Sequence, residues 1–495
     1  ELAALLARAP PELIAAMGRD LAAVVGSRGT VDGSTTDLGA AVVAVLKTAV
    51  RGKGTAKKDT FAAFKVRNFR LYAVGALISS FGTWMQYAAQ DWMVLTLTNH
   101  SGTWLSVVTL LQFVPTILLS IPAGVLADRF DKRRMAMISS VVSGLAALVL
   151  GVVGLVGSVE LWLVLTVTGV LGVTSALDRP IRDALLPEMV GDDLRQNAVA
   201  LKSAMINVAR IAGPAIAGVL IALVGTGWLF AANGVSYGAA LLALVLMNPA
   251  TLLKSMPVAK EKGLVRAGLK YVWEQKLLRY TIALIFMVST WGINSVLTVP
   301  LLVTQVFGSG SDGIGLLHTA LAVGAVGGSL MVARRSTVAS MAIVLGGALL
   351  FGIAQTVSGL MPTLALAAAL MVPTGLFEIA FITFAKAKVQ AGAERDMTGR
   401  VMGVFTLAYA GGSVISAPVL GWVGDAFGGR APTLVAGIVT VVSTLALAPV
   451  LLRLAAGKQQ ADGRIAPKLR RAFGTMTIGR IGLVLVLAGT AMLLT

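Results

Sequence analysis

Residues 68–134 read NFRLYAVGALISSFGTWMQYAAQDWMVLTLTNHSGTWLSVVTLLQFVPTILLSIPAGVLADRFDKRR. Two long stretches, almost free of charge, flank the turn-forming Thr98-Asn-His-Ser-Gly102, and the second stops at a basic cluster. Crossing the hydrocarbon core of a bilayer takes about 20 helical residues, and both stretches exceed that. The segment therefore reads as two membrane-crossing helices with a basic loop on one side.

The same pattern continues to Leu452. It predicts spans near 70–98, 103–127, 135–158, 161–184, 198–224, 228–248, 278–306, 313–333, 337–360, 363–386, 400–424 and 431–452. The 495 residues are 56% apolar and only 13% charged, too apolar to assemble a water-soluble surface. Fifty-five glycines suit such helices, where small residues let backbones approach closely. No cysteine and two histidines leave no thiolate chemistry and little for a metal centre, so neither an enzyme, nor a metal site, nor a cofactor is expected.

A net charge of +18 has its meaning in where the basic residues fall. Arg129, Lys132, Arg133, Arg134, Arg182, Arg195, Lys202, Arg334, Arg335, Lys386, Lys388, Arg395 and Arg400 lie on one side of the predicted spans, and only Arg430 lies on the other. The positive-inside rule then puts both termini in the cytoplasm of a multi-pass protein of the bacterial inner membrane. The charge is an orientation signal, and nucleic acid is not an expected partner.

An internal echo divides the chain. Asp193 to Gly218 (DLRQNAVALKSAMINVARIAGPAIAG) has a weak counterpart in Asp396 to Gly421 (DMTGRVMGVFTLAYAGGSVISAPVLG), with Pro214 and Pro418 separated by 204 residues. Gly82-Thr-Trp84 and Ser289-Thr-Trp291 are 207 apart. The fold class read from this is an all-α membrane protein of twelve helices in two pseudo-symmetric six-helix halves. Residues 1–66 form an amino-terminal extension, 67–248 the first half, 249–276 a basic linker, 277–452 the second half, and 453–495 a basic tail. The apolar segment 478–495 is a short thirteenth span or a surface helix.

A charge at the centre of a membrane helix costs on the order of 3 kcal/mol, so each asks for a partner or a purpose. Trp84, Tyr87 and Asp91 in the first span follow i, i+3, i+7 spacing and share a face that combines aromatic rings with a carboxylate. That face suits a cationic or amphipathic molecule; the plainer reading is a carboxylate solvated near the outer mouth. Glu378 follows Pro373 and Gly375 in the tenth span, where it is either a proton carrier or half of an ion pair. Arg210, one turn before Gly213-Pro214, needs an anion, which Asp178, Glu378 or an acidic substrate supplies.

Asp178, Arg179, Arg182 and Asp183 close the fourth span with two i,i+4 opposite-charge pairs, Asp178 with Arg182 and Arg179 with Asp183. They read as a gating network or as a static anchor. Asp91, Glu378 and Asp178 are thus the proton-coupling candidates. Trp84, Tyr87, Gln90, Arg210, Trp291 and Asn294 are the candidates to line a substrate cavity.

The loop from Gly124 through Asp128, Arg129, Phe130, Asp131, Lys132, Arg133 and Arg134 resembles the loop 2-3 signature of the major facilitator superfamily. Asp131 stands where glycine is usual, a variant associated with the branch of enterobactin exporters and actinobacterial multidrug pumps. NFRLYAVGALISSFGTWMQYAAQDWMVL, ALDRPIRDALLPEMV and NVARIAGPAIAG resemble that branch as well. The resemblance implies that Asp128 bonds the neighbouring half. It also implies that Gly213, Pro214 and Gly218 are the core of an antiporter motif in the fifth span, from which Ala217 departs.

The function expected from all this is secondary transport. A monomer in the lipid bilayer exports a drug-like, siderophore-like or amphipathic small molecule in exchange for protons, by alternating access and with no cofactor beyond the proton gradient. Import, lysophospholipid flipping, or a non-transporting receptor or assembly factor on the same fold are the alternatives.

Overall fold

The computed structural model describes residues 61–253, 264–334 and 338–461. Side chains of Gly124, Asp128 and Arg129 also lie outside the description, as do the expectations for residues 1–60 and for 478–495. Regular structure among the described residues is helical throughout: α1 (Arg67–Leu97), α2 (Gly102–Arg129), α3 (Lys132–Val156), α4 (Leu161–Val190), α5 (Asp192–Val224), α6 (Thr226–Val245), α7 (Leu264–Glu274), α8 (Lys276–Trp291), α9 (Ser295–Leu301), α10 (Ser311–Ala333), α11 (Met341–Leu360), α12 (Leu364–Gly392), α13 (Thr398–Phe427) and α14 (Arg430–Ala461).

Eleven stretches are long and apolar enough to cross a membrane, with α8, α9 and the turn that follows counted as one. The remaining predicted span is α1. Its 31 residues reach about 46 Å, but it is more polar, because it buries Asn68, Gln86, Gln90 and Asp91. It packs along α5 and α6 and so belongs to the same bundle.

The helix pairings repeat. In the first half α1 packs on α5 and α6, α3 on α4 and α6, and α2 on α4. In the second, α8 packs on α13 and α14, α11 on α12 and α14, and α10 on α12. Each pairing corresponds to its counterpart six spans later. The main contacts between halves, α2 with α13 and α5 with α10, obey the same correspondence.

The seventh span is not the continuous helix expected over 278–306. α8 stops at Trp291, Gly292 to Asn294 are irregular, α9 runs for seven residues, and Leu302–Val306 forms a π turn. The proline in α9 explains part of this: Pro300 has no N–H for the ladder, and its ring crowds the preceding turn. Carbonyls freed at the break need donors in a medium without water. Asn294 Nδ2 donates to Thr290 O at 2.6 Å and to Trp291 O at 3.2 Å, and Gln355 Nε2 donates to Gly292 O at 2.9 Å.

The two ends of the bundle differ in chemistry. The basic end carries the loops between α2 and α3 and between α12 and α13, together with α7. The other end, poor in basic residues, is where the halves meet. There Leu95, Leu105, Leu297, Leu301 and Leu420 form one apolar cluster drawn from both halves.

Candidate functional site

Loop chemistry at the basic end begins with capping. Asp131, which departs from the glycine of the loop signature, is the N-cap of α3, and its carboxylate accepts from Arg134 N at 2.7 Å. Arg133 donates through Nε to Leu244 O at 2.7 Å and through Nη2 to Val245 O at 2.9 Å. A cation thus sits on the last carbonyls of α6, where the helix dipole favours positive charge. Lys132 pairs with Glu188 of α4 at 2.6 Å. The basic cluster therefore ties α3, α4 and α6 together inside the first half.

The end of α4 differs in one pair from the expected network. Arg182 Nε bonds Asp178 Oδ2 at 2.5 Å, as the spacing predicts, and its Nη2 donates to Ser140 at 2.9 Å. Asp183, however, pairs with Lys202 of α5 at 2.5 Å rather than with Arg179, which is exposed. Spacing makes the Arg179 pairing available, but α5 brings a lysine to the same carboxylate. Asp178 Oδ1 is buried without a hydrogen-bond partner.

Midway along the bundle, three residues from three helices meet across the halves. Arg210 of α5 lies near enough to the Tyr409 hydroxyl of α13 and to Glu378 of α12 for its charge to act on both. Of the anions the sequence offered to Arg210, Asp178 is paired with Arg182, and Glu378 is the carboxylate on which the Arg210 charge acts. Tyr409 was not foreseen; a tyrosine in a span carries no charge to draw attention to it. All three residues are half-buried, so the cluster stays partly open.

The aromatic face of α1 lies against the same helix that holds Arg210. Trp84 and Tyr87 meet edge to face with ring centroids 5.5 Å apart. A Cβ on Gly213 would lie 2.6 Å from the Trp84 Cβ, so glycine is what lets α5 reach α1 here. Gly218 performs the same service between halves, since its Cβ would lie 2.5 Å from Gly315 Cα of α10. Pro214 sits between them inside α5.

Other candidates are enclosed. Gln90 and Asp91 are 1% and 5% exposed, and both Gln90 side-chain atoms and Asp91 Oδ1 lack hydrogen-bond partners. Asn294 is buried and spends its amide on the break in the seventh span; its Oδ1 accepts from Ser416 Oγ at 3.3 Å. Trp291 packs against the apolar cluster at the basic-poor end. A groove of about 580 Å³ lined by Leu111, Val142, Leu165 and Gly169 lies on the outside of α2, α3 and α4, away from the charged cluster.

At the basic-poor end a residue outside the sequence-derived set joins the halves. Asp425 of α13 accepts from Gly102 N at 2.5 Å, Thr103 N at 2.9 Å and Ser101 Oγ at 2.9 Å. Gly102 N and Thr103 N are the first free amides of α2, so a carboxylate from one half caps a helix of the other. Gln305 Nε2 adds a bond to His100 O at 2.7 Å. The signal in the sequence was an acidic residue at a span end facing a Ser-Gly-Thr helix start, with nothing to join two sites 323 residues apart.

Residues 58–486 match the family described as transmembrane secretion effector. The chain is 28% identical over 392 residues to the multidrug efflux pump Tap of Mycolicibacterium fortuitum, covering 75% of this chain and 94% of the pump. It is 28% identical over 260 residues to the staphyloferrin A transporter of Staphylococcus aureus, covering 51% of this chain and 64% of that transporter, just under two thirds of its length. Among solved structures, a D-xylose-proton symporter shares the fold with a TM-score of 0.61 at 13% identity, covering 78% of this chain and 97% of the symporter.

Proposed function

Since the chain belongs to the transmembrane secretion effector family of the major facilitator superfamily, we propose that this transporter is a proton-coupled exporter of cationic or amphipathic small molecules. Its basic end faces the cytoplasm, in keeping with the positive-inside rule. The halves rock about the contacts of α2 with α13 and α5 with α10.

The observation that carries this reading is the cluster of Arg210, Glu378 and Tyr409 between the halves, beside the aromatic pair Trp84 and Tyr87. The charge of Arg210 acts on Glu378 from the other half. A cationic substrate stacking on the aromatic face competes with Arg210 for the carboxylate, and so does a proton. Substrate and proton then occupy the same acidic group in alternation, which is the logic of exchange. Asp91, buried with an unpaired oxygen, is a second proton carrier on the same helix as the aromatic pair. The efflux activity in the name of the Tap relative supports export, and the name of the staphyloferrin A transporter supports siderophore-like molecules among the substrates.

The test is flux through purified protein in liposomes with an imposed pH gradient, scanned over cationic dyes and siderophores. Proton-coupled export requires that collapsing the gradient stops net flux of at least one substrate. Flux of every transported compound that ignores the gradient overturns the proposal.

A further inference from the structure

Helix α7 is the only described part of the basic linker with a regular α-helical body, and its two faces have different fates. Val272 is buried in the main apolar core of the second half. Gly268 sits so close to Arg400 that a Cβ would meet its carbonyl oxygen at 2.9 Å, and Tyr271 Oη accepts from Glu394 N at 3.1 Å. This face docks α7 on the loop and helix start at the basic end of α12 and α13. The opposite face is Arg266, Leu269, Lys270 and Trp273, at i, i+3, i+4 and i+7, and all four are exposed. Trp273 is 70% exposed and Leu269 46%.

One residue later α8 begins the seventh span, so this face stands at the level where the chain enters the bilayer. Arg279, in the first turn of α8, has its guanidinium 5.3 Å from the Trp273 ring and 5.1 Å from the Tyr280 ring, and it donates to Trp273 O at 3.3 Å. The cation is thereby held in place between two rings. Lys276 is exposed beside it. Against these cations the segment has one acid, Glu274, whose contact with Lys270 is 3.9 Å and exposed.

We propose that this face is a binding site for an anionic phospholipid of the leaflet at the basic end. Leu269 and Trp273 enter the headgroup and upper acyl region, where indole is favoured, while Arg279, Lys270 and Lys276 hold the phosphate and the headgroup's negative charge. Charge selects this occupant. The linker residues 254–263 carry Lys254, Lys260 and Lys262 against Glu261, so that segment is repelled by the same cations, as is the basic end of a second copy. A zwitterionic lipid satisfies the aromatic and apolar groups but leaves the net positive charge unmet.

The experiment uses the full chain in phosphatidylcholine vesicles with a minority of either brominated phosphatidylglycerol or brominated phosphatidylcholine. Bromine quenches tryptophan on contact. Trp273 is one of eight tryptophans, so its emission is isolated by subtracting that of Trp273→Phe. Quenching of the Trp273 component by brominated phosphatidylglycerol should exceed that by brominated phosphatidylcholine by about twofold or more, because basic residues at the surface attract the anionic lipid. Arg279→Gln and Lys270→Gln should each bring the two lipids closer together while quenching persists. Equal quenching by the two lipids in the unaltered protein overturns the proposal, and that comparison needs no variant to fold. So does an excess that survives both substitutions, and so does absence of quenching by either lipid, which would mean that protein covers the face.

Discussion

A single carboxylate in a membrane helix matters because its surroundings decide whether it is paired, and the chain contains three outcomes. Asp178 is tied to Arg182, Glu378 lies in the field of the Arg210 charge, and Asp91 is enclosed with an unbonded oxygen. Of these, the acid whose partner comes from the other half is the one whose protonation changes how the halves hold together. Glu378→Gln should therefore abolish the dependence of flux on the pH gradient and weaken binding of a cationic dye by about tenfold, roughly 1.4 kcal/mol for a lost charge partner. Equilibrium dye binding together with gradient-driven flux measures both. Gln preserves the volume, so an unchanged gradient dependence would remove Glu378 from the coupling path.

The informative element is the seventh span. Its break at Gly292 to Asn294 leaves backbone carbonyls that the side chains of Asn294 and of Gln355 in α11 serve, Asn294 most of them, while Ser416 of α13 donates to Asn294 Oδ1. Asn294→Leu takes away those donors without opening a void, and each buried acceptor left unpaired costs about 1–3 kcal/mol. The variant should unfold at a clearly lower temperature than the parent in the same detergent. Pro300 and Gly292 are bend-prone residues inside a stretch that hydropathy reads as one span over 278–306. They did not show that the span divides into a helix, a gap, a short helix and a π turn, because that depends on donors contributed by Gln355 and Ser416 from other helices.

At the scale of the molecule, the described contacts between halves concentrate at the basic-poor end, where Asp425 caps α2 and the leucine cluster lies behind it. This is a conformer closed at that end. Asp425→Asn removes a charge-assisted cap, for which each bond contributes about 1.5–3 kcal/mol. The balance should move about tenfold or more toward opening at that end. Protonating Asp425 acts in the same direction, since a neutral carboxyl is a poorer acceptor for the α2 amides, so acid on that side should favour opening and alkali closing. The chain has no cysteine, so spin labels at Trp104→Cys and Phe427→Cys, both at exposed positions, can follow this without background. A distance distribution identical in the parent and in Asp425→Asn would show that the cap does not hold the closed state.

The sequence by itself determined the membrane, the apolar spans and the repeat, because hydrocarbon thickness and the cost of charge in lipid act on each stretch of chain locally. It also marked Gly213 and Gly218, since close backbone approach demands glycine wherever it occurs. Loop residues were legible as a basic cluster, yet their work as caps on α3 and α6 was not. What only the tertiary structure decided is which distant groups became partners: Lys202 rather than Arg179 for Asp183, and Asp425 for the start of α2. Hydropathy reports how far each residue prefers lipid to water, whereas pairing reports which side chains the packed helices bring within a few ångströms, and residues hundreds of positions apart share no local signal of that.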